Sequence, residues 1–534
     1  MTLRRGIYAG TGILLALSVL GCGRPNQGAG TPDSESTLTR GLSGGPGSLD
    51  PGNAADTYSS NLLLDLYEGL TAESGNGDVV PAVAESWTVD PTGTQYTFTL
   101  RPDARWSNSK PVRAGDFVNA WRRVVDPRQA SPVSDDLRLV LNAREIIAGR
   151  LSPAELGVFA PSDRILIVKL ERRAPFLPWL LAHPSTFPIY SEASARTHEA
   201  DAWVSNGPYV LVSWKPNTAI EVRLNPEYWD RAHVKIPRVV YEIAPDESVQ
   251  YARYRAGQLD ITDSVPANAM PGLRATRTTE LLLAPFLGTV YYGLNLQSPS
   301  LSKNIAIRRA LSMAIDRKRL VDALGFGQTA AYGFVPPGTA DYTPQYWSWK
   351  DMSDANRVAE ARRLYADAGF SSKSPLHVRL LLNANDAIRQ TAILTAAMWR
   401  ETLGVSVELI EEEYRVFLES RHDKSIWDVA RLAWSADYND ASNFLDTLRL
   451  HSPNNDSGYR SDVFNSLADE AADAADSATR RERLERAERT MLDDYPILPI
   501  YYLVSKRLVK PYVVGVKISP LNHVPSKSLS IQKH

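Results

Sequence analysis

The chain has 534 residues, 43% of them hydrophobic and 22% charged, with 59 basic against 61 acidic side chains and a formal net charge of −2. That length predicts two or three domains, and the charge balance offers no broad basic field for nucleic acid, so any charge recognition must be local. A single cysteine, Cys22, rules out an intramolecular disulfide.

Arg4 and Arg5, the apolar Ile7–Val19 run and the Gly21-Cys22 pair read as a secretory signal over residues 1–21. The run is too short to span a membrane and no stop-transfer pattern follows. V-L-G-C resembles a lipobox, which makes Cys22 the lipidated start of the exported chain; firm anchoring takes two or more lipid chains. Residues 22–36, rich in Gly, Pro, Asn, Gln, Thr and Ser, form a flexible tether. G-L-S-G-G at Gly41 matches a nucleophile pattern, but it lacks the strand–turn–helix setting and a histidine partner, so Ser43 is read as loop.

Ser60–Leu70 is expected to be a helix stopped by Gly69. Val79–Trp87, Gln95–Leu100 and Ile165–Leu170 read as strands. Asp116 is placed as the N-cap of a helix that turns Phe117, Ala120, Trp121 and Val124 inward. Together these make an α+β unit from about Thr71 to Pro184. Tyr209–Trp214 and Ala219–Leu224 form a hairpin across Lys215–Thr218, with Tyr228 and Trp229 folding back as an aromatic plug. Ile305–Asp316 is an amphipathic helix, with the basic Arg317–Arg319 cluster at its C-terminal end. Tyr332–Gly338 is loop; helices Ala355–Gly369 and Ile388–Leu403 and strand Val405–Ile410 give an α/β alternation. Arg481–Thr490 is a solvated helix with Glu482–Arg486 and Glu485–Arg489 pairs, and Pro499–Val504 a buried strand.

The most informative stretch is Arg431–Asp446. An apolar strand, Trp427–Trp434, breaks at Ser435–Asp437, and Tyr438–Asp440 is a turn. Asp437, beside Trp434 and Tyr438, sits where a cation is gripped out of water, and Arg431 offers the opposite charge six residues earlier. Composition alone favours the plainer reading, in which Asp437 caps the turn and Arg431 sits in a structural ion pair.

W-S-A-D-Y-N-D-A-S-N-F-L-D (434–446), N-G-P-Y-V-L-V-S-W with N-P-E-Y-W-D (206–230), L-R-P-D-A-R-W (100–106) and Asp116–Trp121 occur in a consistent order. This set resembles the oligopeptide-binding proteins of ABC importers, within the family 5 extracellular solute-binding proteins. The resemblance implies an α/β, periplasmic-binding-protein-like fold: two lobes joined by a hinge, plus a smaller third α+β domain. Lobe I would comprise 37–70, 185–287 and 505–534, the additional domain 71–184, and lobe II 288–504, so the lobes are discontinuous in sequence. It also implies that Asp437 holds the α-ammonium of a bound peptide and that Arg431 lies toward the carboxylate, with Arg421 and His422 as further candidates there. Trp434, Tyr438, Tyr414, Tyr291, Tyr292, Phe286 and Leu503 would line the pocket. Several members carry tyrosines at the positions of Phe286 and Leu503, a tryptophan at Tyr414, a histidine near Ile388 and a cysteine pair at Gly288 and Ser435. The pocket here is therefore expected to be less polar.

The implied partners are short peptides and the permease subunits of an importer, with the ATPase subunits reached indirectly. A monomer, no nucleic acid, no cofactor and no metal are expected, in an exported, lipid-anchored protein. Carriers of dipeptides, murein tripeptide, nickel chelates or sugars on the same fold are the rivals within the class, and a sensing receptor or adhesin lies outside it. An exported hydrolase is disfavoured by eight scattered histidines, no H-E-x-x-H and no nucleophile with a base.

Overall fold

The computed structural model describes residues 36–190, 203–276, 278–302 and 304–533. The signal segment and the lipidation residue Cys22, with nearly all of the tether, lie outside the described residues. Strand β1 (Thr37–Leu42) opens the first lobe and helix α1 (Thr57–Leu66) follows, capped by Asp56. Helix α1 stops at Tyr67, not Gly69. Gly69 is instead a close-approach position, since a Cβ there would lie 2.5 Å from the carbonyl of Leu181 and against the ring of Phe187.

The chain then builds the smaller α+β domain. Its antiparallel sheet has the order β2-β3-β5-β4, from β2 (Ala84–Val89), β3 (Gln95–Leu100), β4 (Val158–Ser162) and β5 (Ile165–Lys169). The strand expected over Val79–Trp87 is broken at Ala82–Val83 after Pro81, which cannot donate to a ladder. Helix α2 (Ala114–Val125) buries Phe117, Ala120, Trp121 and Val124. Asp116 is not its N-cap. It is the third residue of the helix, where its carboxylate reaches back to the Arg113 amide at 2.9 Å and accepts the Trp106 indole N–H at 3.0 Å.

The chain returns to the first lobe through β6 (Tyr209–Lys215), β7 (Ala219–Leu224) and β8 (Arg238–Ile243), giving the sheet order β1-β8-β7-β6. The hairpin is as the turn residues predict. Glu68 collects the Tyr228 hydroxyl and, at 2.6 Å, the Trp229 indole N–H, which fixes the aromatic plug.

The second lobe is a six-stranded sheet, β10-β14-β9-β13-β11-β12. Its members are β9 (Leu281–Leu294), β10 (Thr329–Ala330), β11 (His377–Asn383), β12 (Ser406–Glu412), β13 (Val429–Ser435) and β14 (Ile497–Leu508). Helices α3 (Ile305–Ala314), α4 (Arg317–Leu324), α5 (Asp354–Asp367) and α6 (Asp386–Leu403) pack around it, followed by α7 (Tyr414–Ser420) and α8 (Ser477–Asp494). The Arg317–Arg319 cluster opens α4 behind its cap Asp316, so Lys318 and Arg319 occupy a helix start. Arg317 alone serves the end of α3, donating from its buried guanidinium to the Ser312 and Ile315 carbonyls. On α8, Arg486 does meet Glu482 at 3.7 Å, whereas Glu485 faces Arg481 at 3.8 Å.

Burial divides the molecule into two main cores. One runs from Leu38 through the smaller domain to Leu529, and the other gathers Leu287 to Tyr501. The paired strands β9 and β14 join them: their register slips between Pro285 and Thr289, and burial along β9 changes from partial to complete at Leu287.

Candidate functional site

Strand β13 is central to the second sheet and lies antiparallel to β9, from Leu294↔Val429 to Gly288↔Ser435. Its other neighbour, β11, pairs only with Val429 and Ala430. From Arg431 to Ser435 that edge has no strand partner among the described residues. The backbone there has donors and acceptors that require partners. Side chains alternate along a strand, and Ala430 and Leu432 point into the core while Arg431, Ala433 and Ser435 take the opposite face. The Ala436 amide still reaches the Leu287 carbonyl at 2.8 Å, which carries the ladder to the start of the turn.

Asp437 stands half-buried at the end of this edge. Asn443 orients it: the Asn443 amide donates to the Asp437 carboxylate at 3.2 Å, and its carbonyl oxygen accepts the Asp437 backbone N–H at 3.3 Å. The same oxygen accepts the Trp434 indole N–H at 2.8 Å, so one buried side chain sets both residues. Tyr438 turns away and stacks on Phe176 of the smaller domain, centroids 4.8 Å apart and rings 3° from parallel. A cavity of about 290 Å³ opens beside Asp437, walled by Trp434 and Asn443 on one side and by Asp136, Leu139 and Leu180 of the smaller domain on the other. Burial, helped by Asp446 and Asp440, pushes the Tyr438 phenol well up, so it is a neutral wall.

Arg431 lies at the other end. It is half-buried, its Nε is buried without a hydrogen-bond partner, and no carboxylate lies within ion-pair distance of it among the described residues. Tyr291 and Tyr292 sit near it on β9; burial pushes both phenols up and the Arg431 charge opposes that shift. Arg421 and His422 are differently engaged. They converge on buried Asp456, at 3.5 and 3.3 Å, with Lys424 at 3.9 Å. Burial pushes the Asp456 carboxyl up and the Lys424 ammonium down to about 8. Tyr414, first residue of α7, is 57% exposed. Phe286 and Leu503 close over Gly288, where a Cβ would meet Leu503 Cδ1 at 2.7 Å and Phe286 Cε2 at 3.1 Å. Gly288 is the direct cross-strand partner of Ser435, the spacing a cysteine pair at these positions requires.

Residues 78–456 match the family model described as bacterial extracellular solute-binding proteins, family 5 Middle. The chain belongs to this family. It is 36% identical over 509 residues to the periplasmic oligopeptide-binding protein OppA of Escherichia coli K12, covering 93% of each chain. It is 33% identical to the periplasmic murein peptide-binding protein MppA of the same strain, again over 93% of each. Among solved structures, Haemophilus influenzae OppA in complex with RPPGFSPFR superposes with a TM-score of 0.80 at 34% identity, covering 94% of this chain and 100% of that one. The Escherichia coli murein tripeptide-binding protein MppA superposes at 0.82 and 33%, covering 94% and 99%. Two lobes with an additional domain are thus the family fold, and family members are solute-binding proteins.

Asp136 and Asn443 were not singled out by the sequence pattern. Asn443 lies inside the Trp434–Asp446 motif but looks like any helix-start asparagine. Asp136 lies some 300 positions from Asp437 in a Ser-Asp-Asp turn that carries no local signal.

Proposed function

We propose that this protein is the peptide-capturing component of an ABC importer, which holds short peptides along β13 in the groove between lobes and passes them to a membrane permease. The observation that carries this reading is the open edge of β13 with a carboxylate at one end and an unpaired guanidinium at the other. Peptides of differing sequence share only their backbone amides and charged termini. An extended peptide adds to the open edge through its backbone, its ammonium meets Asp437 and its carboxylate turns toward Arg431, both as charge-assisted hydrogen bonds. The run from Arg431 to the strand's end at Ser435 spans about 13 Å at the rise of a strand, and the reach of the arginine side chain shortens the peptide needed to bridge the two charges. Murein tripeptide, the ligand named for the MppA relative, is a second candidate of the same chemistry.

The remaining assignments follow from this reading. The groove lies between lobe I (37–70, 185–287, 505–534) and lobe II (288–504), with 71–184 as the third domain. The protein is exported, tethered by lipid on Cys22, works as a monomer and catalyses no reaction. Asp437→Asn is expected to weaken tripeptide binding at least a hundredfold, since an unpaired charge in a closed site costs about 3–5 kcal/mol. The thermal midpoint of the ligand-free protein should stay within a few degrees. Unchanged affinity by titration calorimetry would refute the assignment.

A further inference from the structure

The cavity beside Asp437 contains more negative charge than one ammonium neutralises. Four carboxylates line it, Asp135, Asp136, Asp437 and Asp446, against one arginine, Arg138. Two of the four are already matched: Arg138 bonds Asp135 at 2.6 Å and approaches Asp446 at 3.6 Å, and Arg449 stands 3.8 Å from Asp446. Asp136 and Asp437 are the other two. Neither has an arginine or lysine within ion-pair distance among the described residues.

They reach the cavity from opposite walls. Asp437 lies two residues past the end of β13, and Asp136 sits in the turn Ser134–Leu137 of the smaller domain. The one basic group near Asp136 is His183, whose Nδ1 is 3.8 Å away. That nitrogen already lies 2.8 Å from the Ser185 hydroxyl and 3.4 Å from the Ser185 amide, which donates to it. Burial pushes the Asp136 carboxyl up and Asp437 adds to the rise, against the opposing His183 and a hydrogen bond from Ser185.

We propose that Asp136 is a specificity-determining residue, and that it selects peptides whose first residue carries a cationic side chain as well as the free α-ammonium. This rests on the reading of Asp437 as the ammonium site. A singly charged leading residue satisfies Asp437 and leaves Asp136 facing it across a small cavity. A lysine, ornithine or arginine at the first position brings two positive charges to the two carboxylates. An acidic first residue adds a third negative charge and is rejected.

The test is titration calorimetry of the full exported chain with Lys-Ala-Ala, Ala-Ala-Ala and Asp-Ala-Ala. The wild type should bind the lysine-led peptide about tenfold or more tighter than the alanine-led one and the aspartate-led peptide most weakly. Asp136→Asn should bring the lysine-to-alanine ratio to near one, with the thermal midpoint of the ligand-free protein, which certifies its fold, within a few degrees of wild type. Asp136→Glu should restore the preference, a recovery that a merely structural role would not produce. Equal wild-type affinity for Lys-Ala-Ala and Ala-Ala-Ala overturns the selectivity and leaves peptide capture standing. Failure of all three peptides to bind overturns both.

Discussion

Arg431 lies on the face of β13 turned away from the core, and Asp437 follows two residues after the strand ends at Ser435. Arg431 is then tested best by altering the ligand alongside the protein. Arg431→Ala should weaken a free-acid tripeptide by about 1.5–3 kcal/mol, the worth of a hydrogen bond to a charged group, and leave the C-terminally amidated peptide unchanged. Calorimetry on the four combinations reads the coupling directly. Equal losses for acid and amide would show that Arg431 acts on the strand and not on the ligand. Asn443 is the matching test at the other end. Asn443→Ala frees both the Asp437 carboxylate and the Trp434 indole, and binding of an alanine-led tripeptide should fall roughly tenfold, the upper end of one neutral hydrogen bond.

At the level of elements, the free half of β13 makes backbone pairing the source of sequence-tolerant affinity. A tripeptide N-methylated at its second amide loses a ladder donor and should bind several-fold more weakly than its parent in the same calorimetric assay, by about 0.5–1.5 kcal/mol. Helix α8 supplies a second expectation. Its fully buried Glu488 accepts the amides of Phe334 and Val335 at 2.7 and 2.8 Å and the Tyr342 hydroxyl, pinning the irregular loop behind the sheet. Burial pushes this carboxyl up to about 7. Because the folded value lies above the unfolded one, the native state binds more protons between them, and stability falls as pH rises from about 4.5 to about 7, by roughly 1.4 kcal/mol per unit at most. Urea midpoints of Glu488→Gln across this range should lack that part of the wild-type slope; parallel slopes would contradict it.

Elements set by local pattern were legible in the sequence. The hairpin at 209–224 follows from alternation and a Pro-Asn turn, and β13 from its apolar run. What escaped were features decided by distant atoms. Gly69 is small because Leu181 and Phe187 press on it, and Asp116 is drawn inside its helix by Trp106. Arg421 and His422 resemble free ligand groups until Asp456, 35 and 34 positions on, is seen between them. Arg431 and Asp437 lie within one short stretch of sequence, whereas Asp136 is some 300 positions away in the smaller domain.

For the whole molecule, the groove works only if the lobes close, and a ligand drives closure by binding the closed state more tightly. Here the smaller domain already meets the second lobe through the Phe176–Tyr438 stack, Arg138 on Asp446 at 3.6 Å and Arg172 on Asp469 at 3.5 Å. Such a stack contributes about 0.5–1.5 kcal/mol. Phe176→Ala should therefore lower the closed population and weaken peptides of every sequence two- to tenfold, mostly through faster dissociation in stopped-flow measurements.

Peptide capture through the leading amine is tested most directly by leaving the protein intact and blocking that amine. Titration of Ala-Ala-Ala and its N-acetylated form against the wild type should show tight binding of the first and at least a hundredfold weaker binding of the second. Equal affinity for the two would contradict the account.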